Sequence, residues 1–321
     1  MITSNFSSDR VRFGFAVLLA VTAACVLAAC GRTEKHASFK SPEAAVDAFI
    51  AAVQQNDEAA LRKILGPDVD ELLSSGDPVQ DKASRQQFLD AYNAKHSLAE
   101  ESKGTMTLVV GTNDWPFPIP IVEKHGKWRL DGAAGVDELI YRRVGRNELG
   151  AIAVCRGFVD AQKEYASEGR DGDPPGIYAL KLISDEGMHN GLYWPTAEGE
   201  TESPAGPFVA AAAEEGYRRG QGRTPYHGYY YRLLYAQGPN AQGGAKEYFV
   251  DGVMTGGFAL IAWPADYGSS GVQTFIVNQD GNVYQKDLGE DTAKAVETIK
   301  TFDPDSSWTP VPPADEVAAT G

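Results

Sequence analysis

The run PYHGYYYR at residues 225–232 has the residue types best suited to chemistry. In a β-strand, alternate side chains point to opposite faces, so one face would join the core and the other would carry aromatic and ionisable groups. With aromatic residues from elsewhere in the chain, that second face predicts a platform that stacks on sugar rings or peptide side chains. Alternatively, the tyrosines only reflect the preference of antiparallel sheets for aromatic residues. The candidate binding surface comprises Tyr193, Trp194, His227, Tyr229, Tyr231, Trp263 and Asp266.

His227 and Asp266 supply the candidate acid–base pair of the chain. An imidazole close to a carboxylate can transfer protons near neutral pH. The pair forms only if the fold brings together two residues that are far apart in the sequence. If it forms, it favours a hydrolase.

Metal and cofactor sites have no comparable support. The five histidines are scattered, and none forms the i, i+4 helical pair that binds zinc. Asp171 and Asp173 could offer oxygen ligands to calcium, but a calcium loop needs further carboxylates, including a terminal glutamate. A solvated turn is therefore the preferred interpretation. We predict no metal and no cofactor, and we assign no catalytic residue.

The run FAVLLAVTAACVLAACG at residues 15–31 carries the most specific chemical signal. LAACG at residues 27–31 resembles a bacterial lipobox, in which the cysteine thiol accepts a diacylglyceryl group. An uncleaved membrane span is the alternative, because the apolar run is near the lower limit of about 17 residues for a spanning helix. Cys25 is a competing site, but the TAAC before it lacks the leucine. We predict a signal peptide over residues 1–29 and lipidation, including palmitate, at Cys30.

A lipidated Cys30 would tether the mature protein to a membrane, because two or more acyl chains give stable anchoring. Gly31 rather than aspartate follows the cysteine. This pattern resembles lipoproteins that Gram-negative bacteria send to the outer membrane. We therefore predict a periplasmic, lipid-anchored location at the outer membrane.

The acidic composition restricts the partners of the chain. There are 29 basic and 44 acidic residues, a net charge of −15. This balance argues against binding nucleic acid and against adsorption on anionic lipid. With Cys30 lipidated, Cys155 has no cysteine partner in the mature chain. We predict that Cys155 is a buried apolar residue, and the alternative is a reactive thiol.

Helices followed by antiparallel strands are predicted for residues 41–142, after a polar tether over residues 30–40. Ser41 is a typical N-cap, with Pro42 at the first helical position. The run IPIVEKHGKWRLD predicts a hairpin that turns at His125-Gly126. Helices packed on such a meander resemble the cone-shaped nuclear-transport-factor-like fold.

A long helix on an antiparallel sheet is predicted for residues 143–308. Asn147 is predicted as the N-cap of this helix, and four strand-like runs follow later in the chain. The last of them turns at NQDG, residues 278–281. This arrangement resembles the globular half of type IV pilins. Residues 309–321, rich in proline and alanine, are predicted to be a disordered tail. The fold class is therefore α+β.

Several unusual strings follow one another along the chain. They are SSGDPV, NDWPFPIP, GRNELGAI, DAQKEYA, GLYWP, YHGYYYR, GGFALIAWPADYG and VYQKDLG. Over about residues 38–310 they resemble a family of uncharacterised bacterial lipoproteins, domain of unknown function twenty-nine fifty. The resemblance implies a class and a location, but no activity and no site residues. GRDGDPPG at residues 169–176 departs from it, because a longer acidic run is expected there.

The leading functional hypothesis is a non-catalytic, lipid-anchored envelope protein that binds or scaffolds a partner. That partner would be an envelope protein, a glycan or a small ligand, and not a nucleic acid. The lipobox, the acidic soluble body and the lack of a recognisable catalytic motif favour this hypothesis. One alternative is a hydrolase of envelope polymers that uses His227 with a carboxylate. Another is an accessory factor of secretion or pilus-like assembly, suggested by the pilin-like second half.

Overall fold

The computed structural model describes residues 36–67, 69–196, 202–214 and 224–313. Within them the fold is α+β with mainly antiparallel strand pairs, which confirms the predicted class. The chain divides into two units, Met1–His36 and Ala37–Gly321. The predicted domains at 41–142 and 143–308 both fall in the second unit. Cys30 and the signal peptide lie outside the described residues. No helix in the described ranges is long and apolar enough to cross a membrane.

Several helices begin where the sequence supplies a cap. Ser41 Oγ accepts a hydrogen bond from the Ala44 amide at 3.2 Å. Asp57 and Asp77 accept in the same way from amides three residues on, at 2.9 and 3.1 Å. These oxygens satisfy N–H groups that have no partner within the helix. The helices are α1 (Pro42–Gln55), α2 (Glu58–Leu65), α3 (Asp70–Leu73), α4 (Pro78–Ala94), α5 (Val136–Ser167), α6 (Gly206–Glu214) and α7 (Thr292–Thr298).

Most strands are short. Those before α5 are β1 (His96–Ser102), β2 (Thr105–Val110), β3 (Trp115–Pro116), β4 (Ile121–Lys124) and β5 (Lys127–Leu130). Those between α5 and β13 are β6 (Lys181–Ile183), β7 (Gly191–Tyr193), β8 (Tyr229–Leu234), β9 (Ala236–Gln237), β10 (Lys246–Glu247), β11 (Phe249–Val250) and β12 (Val253–Met254). The last are β13 (Ala259–Pro264), β14 (Gln273–Asn278), β15 (Val283–Asp287) and β16 (Thr309–Pro310).

The first sheet has the order β1-β2-β4-β5, with β3 paired to β2. Helices α1, α2 and α4 pack on it. The predicted hairpin between β4 and β5 is confirmed, because His125 and Gly126 both have positive φ, as a tight hairpin turn requires. Strand β1 is not predicted from the sequence, because its residues HSLAEES are polar and largely exposed.

The second sheet has the order β16-β15-β14-β13-β8 and is antiparallel. Helix α5 packs on β13, β14 and β15 and buries Ala151, Cys155, Phe158 and Tyr165 in the larger hydrophobic core. The predicted hairpin at residues 278–281 joins β14 to β15 and is confirmed. Residues 309–313 are not a tail, because Thr309–Pro310 pairs with β15 and the Pro312 carbonyl accepts a hydrogen bond from Arg156 at 2.6 Å.

Helix α5 runs without a break from Val136 to Ser167. The predicted domain boundary after residue 142 therefore falls inside a helix. Asn147 is not an N-cap, because it is buried within α5, where its Nδ2 donates to the Ser270 carbonyl at 2.8 Å. An asparagine side chain serves a cap or a tertiary contact equally well, and the local sequence does not distinguish the two uses.

The chain turns sharply before β8, so the run PYHGYYYR, considered above as one strand, is a strand only from Tyr229 onward. His227 and Gly228 have φ of 51° and 72°, and the backbones of Tyr226 and Tyr229 bond across them in both directions, at 2.8 and 3.1 Å. A left-handed pair closes a hairpin turn instead of extending a strand. The Gly228 amide also donates to Asp77 Oδ2 at 3.0 Å, which ties this turn to the N-cap of α4.

Arg143 joins the N-terminal helices to a loop of the second sheet. Its Nε donates to the Ser269 carbonyl at 2.9 Å, and Nη2 donates to Ser269 Oγ at 2.8 Å. Nη1 donates to the Leu72 carbonyl at 3.2 Å, and Nη2 also donates to the Glu71 carbonyl. Both of these carbonyls are in α3, at a helix end where carbonyls lack intrahelical partners. Burial lowers the pKa of Arg143, and Asp81 and Asp266 oppose that shift.

Replacing Arg143 should destabilise the protein strongly. Arg143→Met fills much of the same volume but leaves buried carbonyls unsatisfied, so we expect the free energy of unfolding to fall by about 3 kcal/mol or more. Arg142→Met is the matched control, because Arg142 is half-exposed and forms a surface ion pair with Glu138; it should change stability by less than about 1 kcal/mol. Urea unfolding followed by circular dichroism measures both, and equal losses would contradict the assignment.

Cys155 is fully buried, as the sequence predicts. Burial raises the pKa of its thiol to about 12, and the nearby charge of Arg156 offsets this only in part. Because the thiolate is the nucleophile, the folded protein should hold this cysteine inert.

Iodoacetamide should therefore spare Cys155 in the folded chain. At about pH 8 the thiolate fraction is about 10⁻⁴ for this pKa, and the side chain is also shielded from solvent. Mass spectrometry of the peptide that contains Cys155 should show alkylation only after denaturation. Rapid modification of the native protein would instead support the reactive thiol.

Candidate ligand-binding cavity

A cavity of about 470 Å³ lies in the N-terminal half of the protein. Its walls come from α1, α2, α3 and α4, from the β2–β3 region and from the start of α5. The amphipathic helices turn their apolar faces toward the sheet, and at this end they do not close on one another. The apolar lining comprises Phe49, Val53, Leu61, Leu65, Leu72, Leu73, Phe88, Ala91, Val110, Trp115, Phe117 and Leu139.

Aromatic rings form one wall of the cavity. Phe49, Phe88 and Phe117 contact one another, with centroids 5.2 to 5.8 Å apart. Trp115 meets Phe117 edge to face at 6.0 Å. Trp115 and Phe117 belong to the run NDWPFPIP, which places them across the cavity from the helices. Each ring of this wall packs on at least one other ring, and such aromatic pairs stabilise the packing beyond the area that they bury.

Arginines form the polar side of the cavity. Arg85 belongs to α4, and Arg142, Arg143 and Arg146 belong to α5. Arg85 donates to the Leu73 carbonyl, and Arg143 is engaged as described above, so both are occupied in holding the fold. The one carboxylate in the lining, Asp81, accepts hydrogen bonds from Ser75 N and Oγ at 3.0 and 2.7 Å.

Arg142 and Arg146 are the guanidinium groups that remain for a ligand. They are spaced i, i+4 on α5, so they lie on the same face of the helix. Arg142 lies 5.5 Å from the Trp115 ring centroid and donates from Nε to Glu138 at 2.7 Å. Arg146 is exposed and has no hydrogen bond or ion pair with any residue that the structure describes. Such groups can bind an anion at the edge of an apolar space.

The predicted aromatic surface is not assembled. Tyr229 is fully buried and donates to the Gln273 carbonyl at 2.9 Å, and burial raises the pKa of its hydroxyl. Trp194 and Trp263 are only 5% and 3% exposed. Buried rings present no face to a sugar or a peptide. The alternative interpretation of these aromatic residues, as sheet and core packing, accounts for all three.

The aromatic residues predicted to form this surface have different neighbours and do not form one platform. Trp194 lies under Arg170 and beside His189, whereas Trp263 lies beside Tyr230 on the neighbouring strand. Tyr193 is half-buried in β7. Tyr231 is half-buried in β8 and donates to the Tyr226 carbonyl at 3.3 Å.

His227 and Asp266 come from adjoining backbone segments, because the Ala265 amide donates to the Gly228 carbonyl at 2.9 Å, but their side chains have different surroundings. The His227 ring stacks edge to face on Tyr226 at 4.2 Å and lies against Gly150, where an added Cβ would be 3.1 Å from Nδ1. Asp266 lines a separate hollow with Glu71, which His227 does not line. Burial raises the pKa of Asp266, partly offset by Arg143. Within the described residues, no group of three or more His, Cys, Asp or Glu is arranged to hold a metal ion.

Neither the cavity nor the convergence of its arginines is predicted from the sequence. The available signal was YRRVGR at residues 141–146, three arginines within five positions of a chain that is strongly acidic overall. Clustered arginines create a local positive potential even on an acidic protein. Its relation to NDWPFPIP and to α4 could not be inferred, because only tertiary packing brings these segments together.

The comparisons with known proteins identify a family and leave the finer fold resemblances as predictions. The chain matches no curated protein and no solved structure, so the likeness to nuclear-transport-factor-like and pilin folds stays a prediction. Residues 36–311 match the family described as protein of unknown function (DUF2950). This match spans most of the chain and agrees with the family predicted from the sequence strings. The protein is therefore a member of the DUF2950 family.

Proposed function

We propose that this protein is a non-catalytic binding protein, anchored by lipid at Cys30 to the bacterial envelope, and that its ligand site is the arginine-lined cavity. The observation that carries the proposal is the cavity itself. Its volume of about 470 Å³ is in the range of small-molecule sites, which are mainly apolar with a few placed polar groups.

An open apolar cavity needs a physical reason. Protein interiors pack as densely as organic crystals. Side chains that line an unfilled space lose the dispersion contacts that would otherwise stabilise the fold. The larger core around α5 and the second sheet is filled with aromatic and aliphatic side chains. A space left open beside Phe49, Phe88 and Phe117 is therefore best understood as a place for a ligand.

The polar groups in the cavity favour binding over catalysis. Arginine stays protonated at all ordinary pH values, so it holds an anion but does not exchange protons. Asp81 is hydrogen-bonded to Ser75, and neither His227 nor Asp266 lines the cavity. The hydrolase hypothesis therefore has no acid–base pair at this site.

Blocking the mouth of the cavity should abolish ligand binding. Gln87 lines the cavity and is exposed, so Gln87→Trp places an indole in the opening. We expect the affinity for the neutral apolar dye N-phenyl-1-naphthylamine to fall by about tenfold or more. Gln86→Trp, at an exposed position that does not line the cavity, should bind the dye like the natural chain. Equal binding by both variants, or none by the natural chain, would refute the proposed site.

The anchor has its own test. Cys30→Ser should abolish incorporation of radiolabelled palmitate in cells and leave the signal peptide uncleaved, because the thiol is the acyl acceptor. Cys25→Ser should retain both labelling and cleavage. Labelling that survives in Cys30→Ser and disappears in Cys25→Ser would move the anchor to the earlier cysteine.

A further inference from the structure

We propose that the ligand of this cavity is an anionic amphiphile, with its apolar tail among the phenylalanines and its carboxylate or phosphate head on Arg142 and Arg146. This inference rests on the binding function proposed above and names the class of ligand.

The lining of the cavity is positively charged, whereas the whole chain is negatively charged. The chain carries a net charge of −15, yet the cavity lining contains four arginines and one carboxylate within the described residues. The long-range field of such a protein repels anions. A preference for an anionic ligand would therefore have to come from the local arginines.

The arginines divide into structural and available groups. Arg85 and Arg143 donate to backbone carbonyls and hold the fold. Arg142 has a surface ion pair with Glu138, both side chains being about half exposed, and such pairs contribute little free energy and exchange readily. Arg146 has no hydrogen bond or ion pair within the described part of the chain. Two guanidiniums one helical turn apart can converge on one head group by charge-assisted hydrogen bonds.

The position of the arginines relative to the apolar wall fixes the shape of the ligand. Arg142 lies over Trp115, which touches Phe117, which in turn contacts Phe49 and Phe88. The lining therefore passes directly from cation to aromatic wall. An occupant that satisfies both must be polar and anionic at one end and apolar along its body. A glycan lacks the apolar body, and a neutral oil leaves the arginines unused.

The test compares ligands that share a tail and differ in the head. The polypeptide from Gly31 onward, which lacks the predicted signal peptide and Cys30, contains the whole unit that begins at Ala37 and is prepared in buffer without detergent. Its folding is checked by circular dichroism. Dodecanoate, dodecyl phosphate, dodecanol and dodecyltrimethylammonium are each used to displace N-phenyl-1-naphthylamine, below their micelle concentrations.

We expect dodecanoate, dodecyl phosphate or both to bind about tenfold or more tightly than dodecanol, and the cation to bind weakest. Arg146→Gln should remove most of that difference and leave dodecanol binding unchanged. Lys163→Gln is the matched control, because it removes one exposed positive charge from the same helix outside the cavity lining; it should retain the preference. Which of the two anions binds tighter identifies a carboxylate or a phosphate head.

Failure of the proposed ligand class and failure of the proposed binding function give different results. Equal binding of dodecanol and the anions, or the same preference in Arg146→Gln as in the natural chain, would overturn the anionic ligand but leave the binding cavity intact. Absence of binding by every amphiphile and by the dye would overturn both the ligand class and the proposed function.

Discussion

Arg143 places a guanidinium inside the protein, and the two halves of the described chain meet around it. A buried charge is costly unless hydrogen bonds replace its water, and here α3 and the Ser269 loop supply the acceptors. The neighbouring residues of α5 extend this contact, because Asn147 donates to Ser270 and Glu148 accepts from the amides of residues 272 and 273. The start of α5 is thereby fixed in position, and with it the arginines of the cavity.

The two ends of helix α5 have different surroundings. Its C-terminal part packs on the second sheet, where Cys155 and Phe158 are buried in a filled core. Its N-terminal part bonds to α3 and to the loop at residues 269–273, and its residues Arg142 and Arg146 line the cavity. In this arrangement the second half of the protein positions the arginines of the cavity, and its own aromatic residues Trp194, Tyr229 and Trp263 are buried.

The fold was predictable where the determining interactions are local. The cap at Ser41 and the hairpins at residues 125–126 and 278–281 follow from residues within a few positions of one another. The prediction failed where distant residues decide. Asn147 bonds to Ser270 instead of capping a helix, and the turn at His227 is tied to Asp77 across the molecule. Strand β1 is polar, so no apolar alternation revealed it.

By itself, the sequence determined the α+β class, the family and the burial of Cys155, and it carries the lipobox on which the predicted anchor depends. These follow from composition, short-range spacing and strings of residues. Only the tertiary structure decided which aromatic residues are buried and which arginines meet at a cavity. The physical reason is that burial and charge convergence depend on contacts between segments far apart in the chain. Trp263 and Trp115 are both tryptophans followed by a proline, yet one packs the core and the other lines the cavity.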